Sequence, residues 1–286
     1  MTPTPLERYA DGVWLKREDV HELGAFKWRG ALAVLEARRP DVVVTASTGN
    51  HGAATAWAAR RTGVRAVVFV PEEASATKTA LIEANGAEIR RVGADLDEAK
   101  DAARAFAAAD GHFFFEDGAE PAQFDGYAAI GRELVEQLGG PPGTMLTPIG
   151  NGALAIGVGR GVGEAALRIG VVPEAAPVMW ESWHAGRALV SERCETFADG
   201  LAVRVAIPLA VEELPRAVDR LELVSEQEMA RALRELADRG IRVEGAAAAP
   251  LAALRKLEPL PGPVVLIVTG RNIDDALYER VLRLAD

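Results

Sequence analysis

Lys27 is the residue whose type and neighbours most suggest covalent chemistry. It lies in AFKWRG, between Phe26 and Trp28, in a chain that has only five lysines. Aromatic neighbours that exclude water disfavour the ammonium form and leave more of the nucleophilic amine. Such an amine can form a Schiff base with a carbonyl. The alternative is a lysine whose stem covers apolar surface while its ammonium stays in water, and these residues alone leave both possibilities open.

Composition narrows the classes of protein and partner. The chain has 286 residues, 49% of them hydrophobic, which suits one large domain or two ordinary ones. Its net charge of −10 and the absence of a basic run argue against nucleic acid and anionic membranes and favour a small-molecule substrate. The first residues resemble no signal peptide, and no apolar run approaches the length of a membrane span, so we expect a cytoplasmic protein. The single cysteine, Cys194, excludes an internal disulfide and a CxxC motif.

Short apolar runs alternate with alanine-rich helical patterns. Continuous apolar runs indicate strands buried on both faces, and their alternation with helices indicates an α/β protein with largely parallel sheets. The predicted strands are 41–46, 65–70, 87–92, 113–115, 144–149, 176–180 and 263–268. The predicted helices are 50–61, 76–85, 96–109, 128–138 and 225–239, the last opened by a capping box of Ser225 and Glu228 and followed by Gly240.

The first polar motif, STGNHG at 47–52, follows a predicted strand and precedes a predicted helix. In open α/β sheets, ligands bind beyond the carboxyl ends of strands. Backbone amides and hydroxyls at that place can hold an anion such as a carboxylate. The alternative is simple capping of the helix by Ser47, Thr48 or Asn50. His51 without a partner is weak evidence of function.

The second motif is Gly150-Asn151-Gly152-Ala153-Leu154, again between a strand and a helix. Glycines there allow a phosphate to approach backbone amides closely. With Ala155 the motif also fits the dinucleotide pattern G-x-G-x-x-A, and Glu181, after the strand predicted at 176–180, is then the ribose-binding acid. That alternative is a nicotinamide-dependent oxidoreductase.

The third motif, TGRNID at 269–274, follows the apolar run PVVLIV. The Thr269 hydroxyl, at the carboxyl end of a buried strand, can hydrogen-bond a ring nitrogen of a ligand. The alternative is an ordinary turn between a strand and a helix.

Taken in order, the lysine, STGNHG, the glycine loop and the hydroxyl before G-x-N resemble fold-type II pyridoxal-phosphate enzymes, in particular the serine/threonine dehydratase branch that includes serine racemases. The resemblance implies a tryptophan synthase β-like fold: two three-layer αβα domains with largely parallel sheets. It implies a small domain at 42–124 inside a large domain made of 1–41 and 125–286. The segments that carry it are TPL (4–6), LKRED (15–19), AFKWRGA (25–31), STGNHG (47–52), GAEI (86–89), FDGYAAIGREL (124–134), ADGLAV (198–203), EGAAAA (244–249) and TGRNID (269–274).

The resemblance also implies roles for matching residues around pyridoxal 5'-phosphate. Lys27 would join the cofactor and take the substrate α-proton. Thr48 falls where racemases place the residue that protonates the opposite face. The cofactor would contact Phe26, Asn50, Gly150, Asn151, Gly152, Ala153, Leu154, Glu244 and Thr269, and the substrate carboxylate would contact Ser47, Thr48, Gly49, Asn50 and His51.

The implied reaction is loss of water and then ammonia from a β-hydroxy amino acid such as L-threonine or L-serine, which gives a 2-oxoacid. A neutral hydroxyl at the ring nitrogen weakens the electron sink and favours prompt elimination. Alternatives are threonine synthase-like β-replacement, which Thr269 favours, amino-acid racemisation, and binding without turnover. A homodimer is expected from the family, as is a catalytic core without an allosteric domain.

Two of the departures from the family pattern concern the phosphate loop and a metal site. Asn151 and Ala153 interrupt a phosphate loop that is usually all glycine. The racemase branch binds a divalent cation with a Glu and an Asp six residues later, whereas Arg187 follows Glu181 at that spacing. Because a guanidinium cannot ligate a metal and can supply its own positive charge, we expect no metal site.

Overall fold

The computed structural model describes residues 2–257 and 259–285, and for 76–78 the backbone alone. Within these ranges it contains ten strands. They are β1 (Leu6–Ala10), β2 (Val13–Arg17), β3 (Val42–Ala46), β4 (Arg65–Val70), β5 (Glu88–Arg91), β6 (Phe113–Phe114), β7 (Thr144–Pro148), β8 (Leu167–Pro173), β9 (Arg220–Val224) and β10 (Val264–Val268).

Eleven α-helices lie in the same described ranges. They are α1 (Trp28–Arg38), α2 (Asn50–Thr62), α3 (Ala76–Ala84), α4 (Leu96–Asp110), α5 (Pro121–Leu138), α6 (Ala153–Val162), α7 (Val178–Ala185), α8 (Pro208–Ala217), α9 (Glu226–Asp238), α10 (Gly245–Lys256) and α11 (Asp275–Leu284). The predicted capping box is confirmed: Ser225 Oγ accepts from the Glu228 amide at 3.2 Å, and Glu228 Oε2 accepts from the Ser225 amide at 2.8 Å.

Two sheets organise the strands. The six-stranded sheet has the order β1-β2-β10-β7-β8-β9, and the four-stranded sheet has the order β5-β4-β3-β6. Every pairing is parallel except that of β1 with β2. The prediction of largely parallel sheets is therefore confirmed, while the antiparallel β1–β2 pair was not predicted.

The chain divides into two compact units, Lys27–Gly126 and Met1–Phe26 with Tyr127–Asp286. We call them the inserted unit and the main unit. Helix α1 belongs to the inserted unit because it packs against α2, where the Trp28 and Trp57 rings meet edge to face at 5.7 Å. The domain boundaries at 42 and 124 that the family pattern implies stay a prediction.

The inserted unit buries both faces of its sheet. Side chains of successive strand residues point to opposite faces, so alternate residues of β4 enter two separate cores. On one face Val67 and Phe69 pack with Val42, Val44, Ala99, Ala103 and Ala107. On the other face Val68 and Val70 pack with Ala53, Ala56 and Ile82. Helices thus cover both faces of the sheet. Polar groups can therefore lie in the turns at the carboxyl ends of β3 and β6.

The main unit packs helices α9, α10 and α11 on one face of its sheet. Its core joins strand residues such as Leu146, Ile169 and Leu266 to Met229, Leu233, Leu251 and Val281 of those helices. The strand β10 is buried along its whole length. A buried central strand of this kind holds the residue that follows it, Thr269, in a fixed position.

The strand predicted at 176–180 is wrong, because these residues enter helix α7, which begins at Val178. Strand β8, which was not predicted from the sequence, lies next to β7 in the sheet. Pro173 ends β8, and Pro177 sits at the N-cap of α7 with Glu181 in its first turn. The run APVMW is short enough for its apolar pattern to fit either element. Tertiary packing therefore decided its conformation.

Gly159 allows α6 to pack closely against α8. A Cβ atom at Gly159 would lie 2.0 Å from the carbonyl oxygen of Ala217. We expect Gly159→Ala to lower the free energy of unfolding by roughly 1–3 kcal/mol, since overpacking forces the backbones apart. Urea titration would measure the change. Gly140→Ala is the matched control, because a Cβ atom there would have no neighbour within 4 Å, and equal stability losses in the two variants would contradict the packing argument.

Candidate active site

The Lys27 amine is paired with a carboxylate from a distant part of the inserted unit. Its Nζ donates to Oδ2 of Asp117, 90 residues away, and forms an ion pair with it. The Lys27 side chain is 16% exposed, and Phe26 and Trp28 are buried on either side of it in the chain. The Lys27 side chain is therefore largely withdrawn from water, one of the two possibilities that the sequence left open, and its carboxylate partner was not predicted.

Asp117 is the functional candidate that the sequence analysis missed. It follows β6, whose pairing with β3 places the carboxyl ends of the two strands together. Burial by itself raises the pKa of Asp117, but the charge of Lys27 and the hydrogen bonds from Lys27 and Gln123 hold the pKa well below its usual range. The available signal was an acidic residue just beyond the carboxyl end of a buried strand.

His51 lies buried beside this pair in a single tautomer. The Thr45 hydroxyl donates its only hydrogen to the Phe115 carbonyl at 2.8 Å. The Nε2 atom of His51, 3.1 Å from Thr45 Oγ1, must therefore carry the hydrogen of the neutral ring. Burial is the largest cause that lowers the pKa of His51. The ring is thus neutral, and Nδ1 lies 3.7 Å from Asp117 Oδ1 without a hydrogen-bond partner in the described part of the chain.

The STGNHG segment forms the turn between β3 and α2. Gly49 is the N-cap of α2, and no side chain caps the helix. Ser47 Oγ instead accepts from the Gly49 amide at 3.1 Å. A Cβ atom at Gly52 would lie 2.7 Å from the Ser47 carbonyl oxygen, so the turn requires glycine there. The simple capping alternative is not what the structure shows, because no side chain caps α2.

The glycine loop of the main unit opens helix α6. Gly152 has φ +93°, a left-handed conformation that favours glycine, and a Cβ atom at Gly150 would lie 2.6 Å from the Gly200 carbonyl oxygen. Asn151 Oδ1 accepts from the Ala153 amide at 3.0 Å. The first turn of α6 is buried and contains no acidic residue. A buried helix N-terminus without a negative side chain favours an anion.

A third group of candidates lies at the end of β10 in the main unit. The Thr269 hydroxyl donates to Glu244 Oε1 at 3.3 Å, and both side chains are buried. The Phe26 amide donates to the Thr269 carbonyl at 3.0 Å, and the Glu244 amide donates to the Gly270 carbonyl at 3.0 Å. The Phe26 and Tyr127 rings lie 5.0 Å apart. The structure thus brings Phe26, Glu244 and Thr269 together.

Glu181 has a different partner from the one the sequence suggested. It pairs with Arg193 at 2.6 Å, whereas the Arg187 side chain is exposed. Glu181 lies within α7 rather than at a strand end, so the dinucleotide alternative loses its ribose-binding acid. Among the described residues, no group of three or more His, Cys, Asp or Glu side chains is arranged to hold a metal ion. No helix in the described ranges is long and apolar enough to cross a membrane.

Comparison with known proteins shows a match along almost the whole chain. A family model described as "pyridoxal-phosphate dependent enzyme" matches residues 1–270. The L-threonine ammonia-lyase of Geobacter sulfurreducens is 34% identical over 278 residues, which cover 94% of this chain and 69% of that protein.

Solved structures agree in fold. The processed form of threonine deaminase isoform 2 from Solanum lycopersicum gives a TM-score of 0.92 at 26% identity, covering 99% of this chain and 88% of that one. A fungal L-serine ammonia-lyase from Rhizomucor miehei gives 0.86 at 25% identity, covering 99% and 98%. These similarities confirm the fold-type II architecture expected from the sequence.

Proposed function

Because the chain belongs to the family of pyridoxal-phosphate-dependent enzymes, we propose that it is an ammonia-lyase that removes water and then ammonia from L-threonine or L-serine and yields a 2-oxoacid. The observation that carries this proposal is the largely buried Lys27 amine, held beside Asp117. The relatives named for threonine and serine support the substrate class.

The residues of this chain suit the cofactor in their chemistry. Lys27 supplies the amine that a cofactor aldehyde requires. The loop at Gly150 and Gly152 opens a buried helix N-terminus without an acidic side chain, which favours a phosphate. When bound, pyridoxal phosphate supplies an electron sink for the charge that develops at the substrate α-carbon. The protein supplies orientation, exclusion of water and proton transfer.

In the inserted unit, we assign the covalent and proton-transfer roles to Lys27. Its Nζ takes the proton from the substrate α-carbon. The first-turn amides of α2, with Ser47, Thr48, Gly49 and Asn50, hold the substrate carboxylate. His51 contributes its backbone amide, since its ring is fixed by Thr45 and Phe115. Asn50 would bond the phenolic oxygen of the cofactor, and Thr48 would serve as the proton donor on the opposite face.

In the main unit, we assign cofactor contacts to two groups of residues. Backbone amides of the loop would hold the phosphate, that of Ala153 only after leaving Asn151 Oδ1, and Phe26 would contact the cofactor ring. The Thr269 hydroxyl would contact the ring nitrogen. Because its single hydrogen goes to the Glu244 carboxylate, it would accept a hydrogen bond from a protonated nitrogen. The loop residues are Gly150, Asn151, Gly152, Ala153 and Leu154.

Gly270 tests the Thr269–Glu244 pair. A Cβ atom at Gly270 would lie 2.6 Å from Glu244 Oε1 and 2.7 Å from Glu244 Cδ. Gly270→Ala therefore displaces the carboxylate, and we expect cofactor affinity to fall about tenfold, the equivalent of one lost hydrogen bond to a charged group. Titration of cofactor-free protein with pyridoxal phosphate would measure it. Gly140→Ala serves as a control, because a Cβ atom there would have no neighbour within 4 Å, and an unchanged affinity in Gly270→Ala would contradict the assignment to Glu244.

The experiment that tests the proposed function combines a spectrum with a product assay. Purified protein is mixed with pyridoxal phosphate, and its visible absorbance is recorded before and after borohydride treatment and after addition of L-threonine or L-serine. We expect a protein-bound band, a borohydride-stable adduct on Lys27, and formation of 2-oxoacid and ammonia in equal amounts. A protein that binds the cofactor but forms no 2-oxoacid would contradict the lyase, and one that binds no cofactor would contradict the whole assignment.

Metal independence, location and assembly complete the proposal. Because Arg193 neutralises Glu181, we expect equal turnover in EDTA and in Mg²⁺.

We propose a cytoplasmic homodimer, on the strength of the family resemblance. Light scattering on purified protein would test the dimer.

A further inference from the structure

Each oxygen of the Asp117 carboxylate accepts a hydrogen bond from a different side chain. Oδ2 accepts from Lys27 Nζ, and Oδ1 accepts from Gln123 Nε2 at 2.6 Å. Gln123 is fully buried, and its own Oε1 accepts from the Gly118 amide at 2.8 Å. The Gln123 side-chain amide therefore has a hydrogen bond at its oxygen and another at its nitrogen. Because the backbone of Gly118 fixes this amide, the amide fixes the orientation of the Asp117 carboxylate.

Among the described residues, Lys27 is the cation that contacts this carboxylate. His51, on α2, is neutral and lies 3.7 Å from Oδ1. Lys100, on α4, pairs with Glu116, the residue next to Asp117 in sequence. A partly buried carboxylate that loses its counter-ion suffers a large desolvation cost. The carboxylate therefore attracts the protonated Lys27 amine whenever that amine is free.

We propose that Asp117 is a positioning residue for Lys27: its carboxylate, oriented by Gln123, holds the protonated ε-amine in one place whenever that amine is not covalently engaged. This inference rests on the proposed function of Lys27. When Nζ takes the α-proton, the C–H bond breaks and an N–H bond forms. Asp117 remains ionised and stabilises the ammonium until Nζ gives its proton to the β-hydroxyl, which leaves as water when its C–O bond breaks.

Two variants separate the charge of Asp117 from its position. Asp117→Asn keeps the shape and removes the charge, while Asp117→Glu keeps the charge and moves it by one methylene. Glu116→Gln is the matched control, because it removes a neighbouring carboxylate that pairs with Lys100 and Arg104 instead of Lys27. Thermal unfolding of each variant monitors the fold.

The first measurement uses cofactor-free protein and no turnover. Pyridoxal phosphate is added at a series of pH values, the adduct is trapped with borohydride, and its amount on Lys27 is measured by peptide mass spectrometry. In Asp117→Asn the pH of half-maximal trapping should fall, because the amine loses the opposite charge that contacts it. In Asp117→Glu and Glu116→Gln it should stay near that of wild type.

The second measurement is the split between kcat and KM in the elimination assay. We expect kcat to fall about a hundredfold in Asp117→Asn, the lower part of the range for a proton-transfer group, with KM little changed. Asp117→Glu should show reduced kcat with the wild-type trapping profile, because the amine is then held in the wrong place. Glu116→Gln should keep the wild-type values of both.

The outcomes distinguish this inference from the proposed function. A wild-type trapping profile in folded Asp117→Asn, or wild-type kcat in Asp117→Glu, would overturn the role of Asp117 and leave Lys27 untouched. Trapping on a lysine other than Lys27 in the wild-type protein would instead contradict the proposed function. If Asp117→Asn does not fold, the kcat of Asp117→Glu decides the question.

Discussion

Lys27→Ala is expected to lower kcat/KM for elimination from L-threonine or L-serine by at least about 10⁴-fold, because one side chain supplies both the covalent attachment and the proton acceptor. Groups that act as one unit lose their effect together, so little residual turnover should remain. The visible band and the borohydride-stable adduct should disappear with the activity. Added pyridoxal phosphate should bind only reversibly, through the contacts assigned to the main unit.

A lysine of the same unit provides the control for this variant. Lys100 pairs with Glu116 and is one-third exposed, so Lys100→Ala removes an amine without touching Asp117. It should keep the adduct and most of the activity. A small primary amine added to Lys27→Ala should restore some turnover if the missing group is only an amine. A stable adduct on another residue of Lys27→Ala would contradict the assignment.

Lys16→Met should be the most destabilising of the proposed charge removals. Lys16 is fully buried and donates to Glu133 Oε2 and the Thr4 carbonyl at 2.8 Å each, and to Gln137 Oε1 at 3.0 Å. Removal of one member of a buried ion pair costs about 3–5 kcal/mol, because the remaining charge loses its counter-ion. We expect the free energy of unfolding to fall by that amount in a urea titration.

Two further variants show whether the loss arises from the broken ion pair. Lys16→Met with Glu133→Leu removes both charges, and a buried pair replaced by apolar residues is often neutral in stability. We therefore expect the double variant to have a higher free energy of unfolding than Lys16→Met alone. A double variant less stable than the single variant would point instead to lost packing. Lys256→Met, at an exposed position, is the control and should change the free energy of unfolding by less than about 0.5 kcal/mol.

The buried strands and most helices could be predicted from the sequence because their signals are local. The runs at 65–70 and 263–268 are apolar along their length, and the capping box of Ser225 and Glu228 is complete within four residues. The strands β8 and β9 were missed. Arg168 and Asp219, at their starts, are charged residues that sequence patterns assign to loops, yet they neutralise each other at 2.7 Å across the two strands.

The sequence by itself determined the family, the cofactor and the chemistry, because these depend on short motifs such as AFKWRGA and STGNHG, whose residue types are read without coordinates. Only the tertiary structure decided the environment of Lys27. Its carboxylate partner lies 90 residues away, and the parallel pairing of β3 with β6 creates the contact. Local sequence patterns do not show which strands are neighbours in a sheet. The contact of Lys27 with Asp117 therefore could not be predicted from them, and neither could the pairing of Glu181 with Arg193 instead of Arg187.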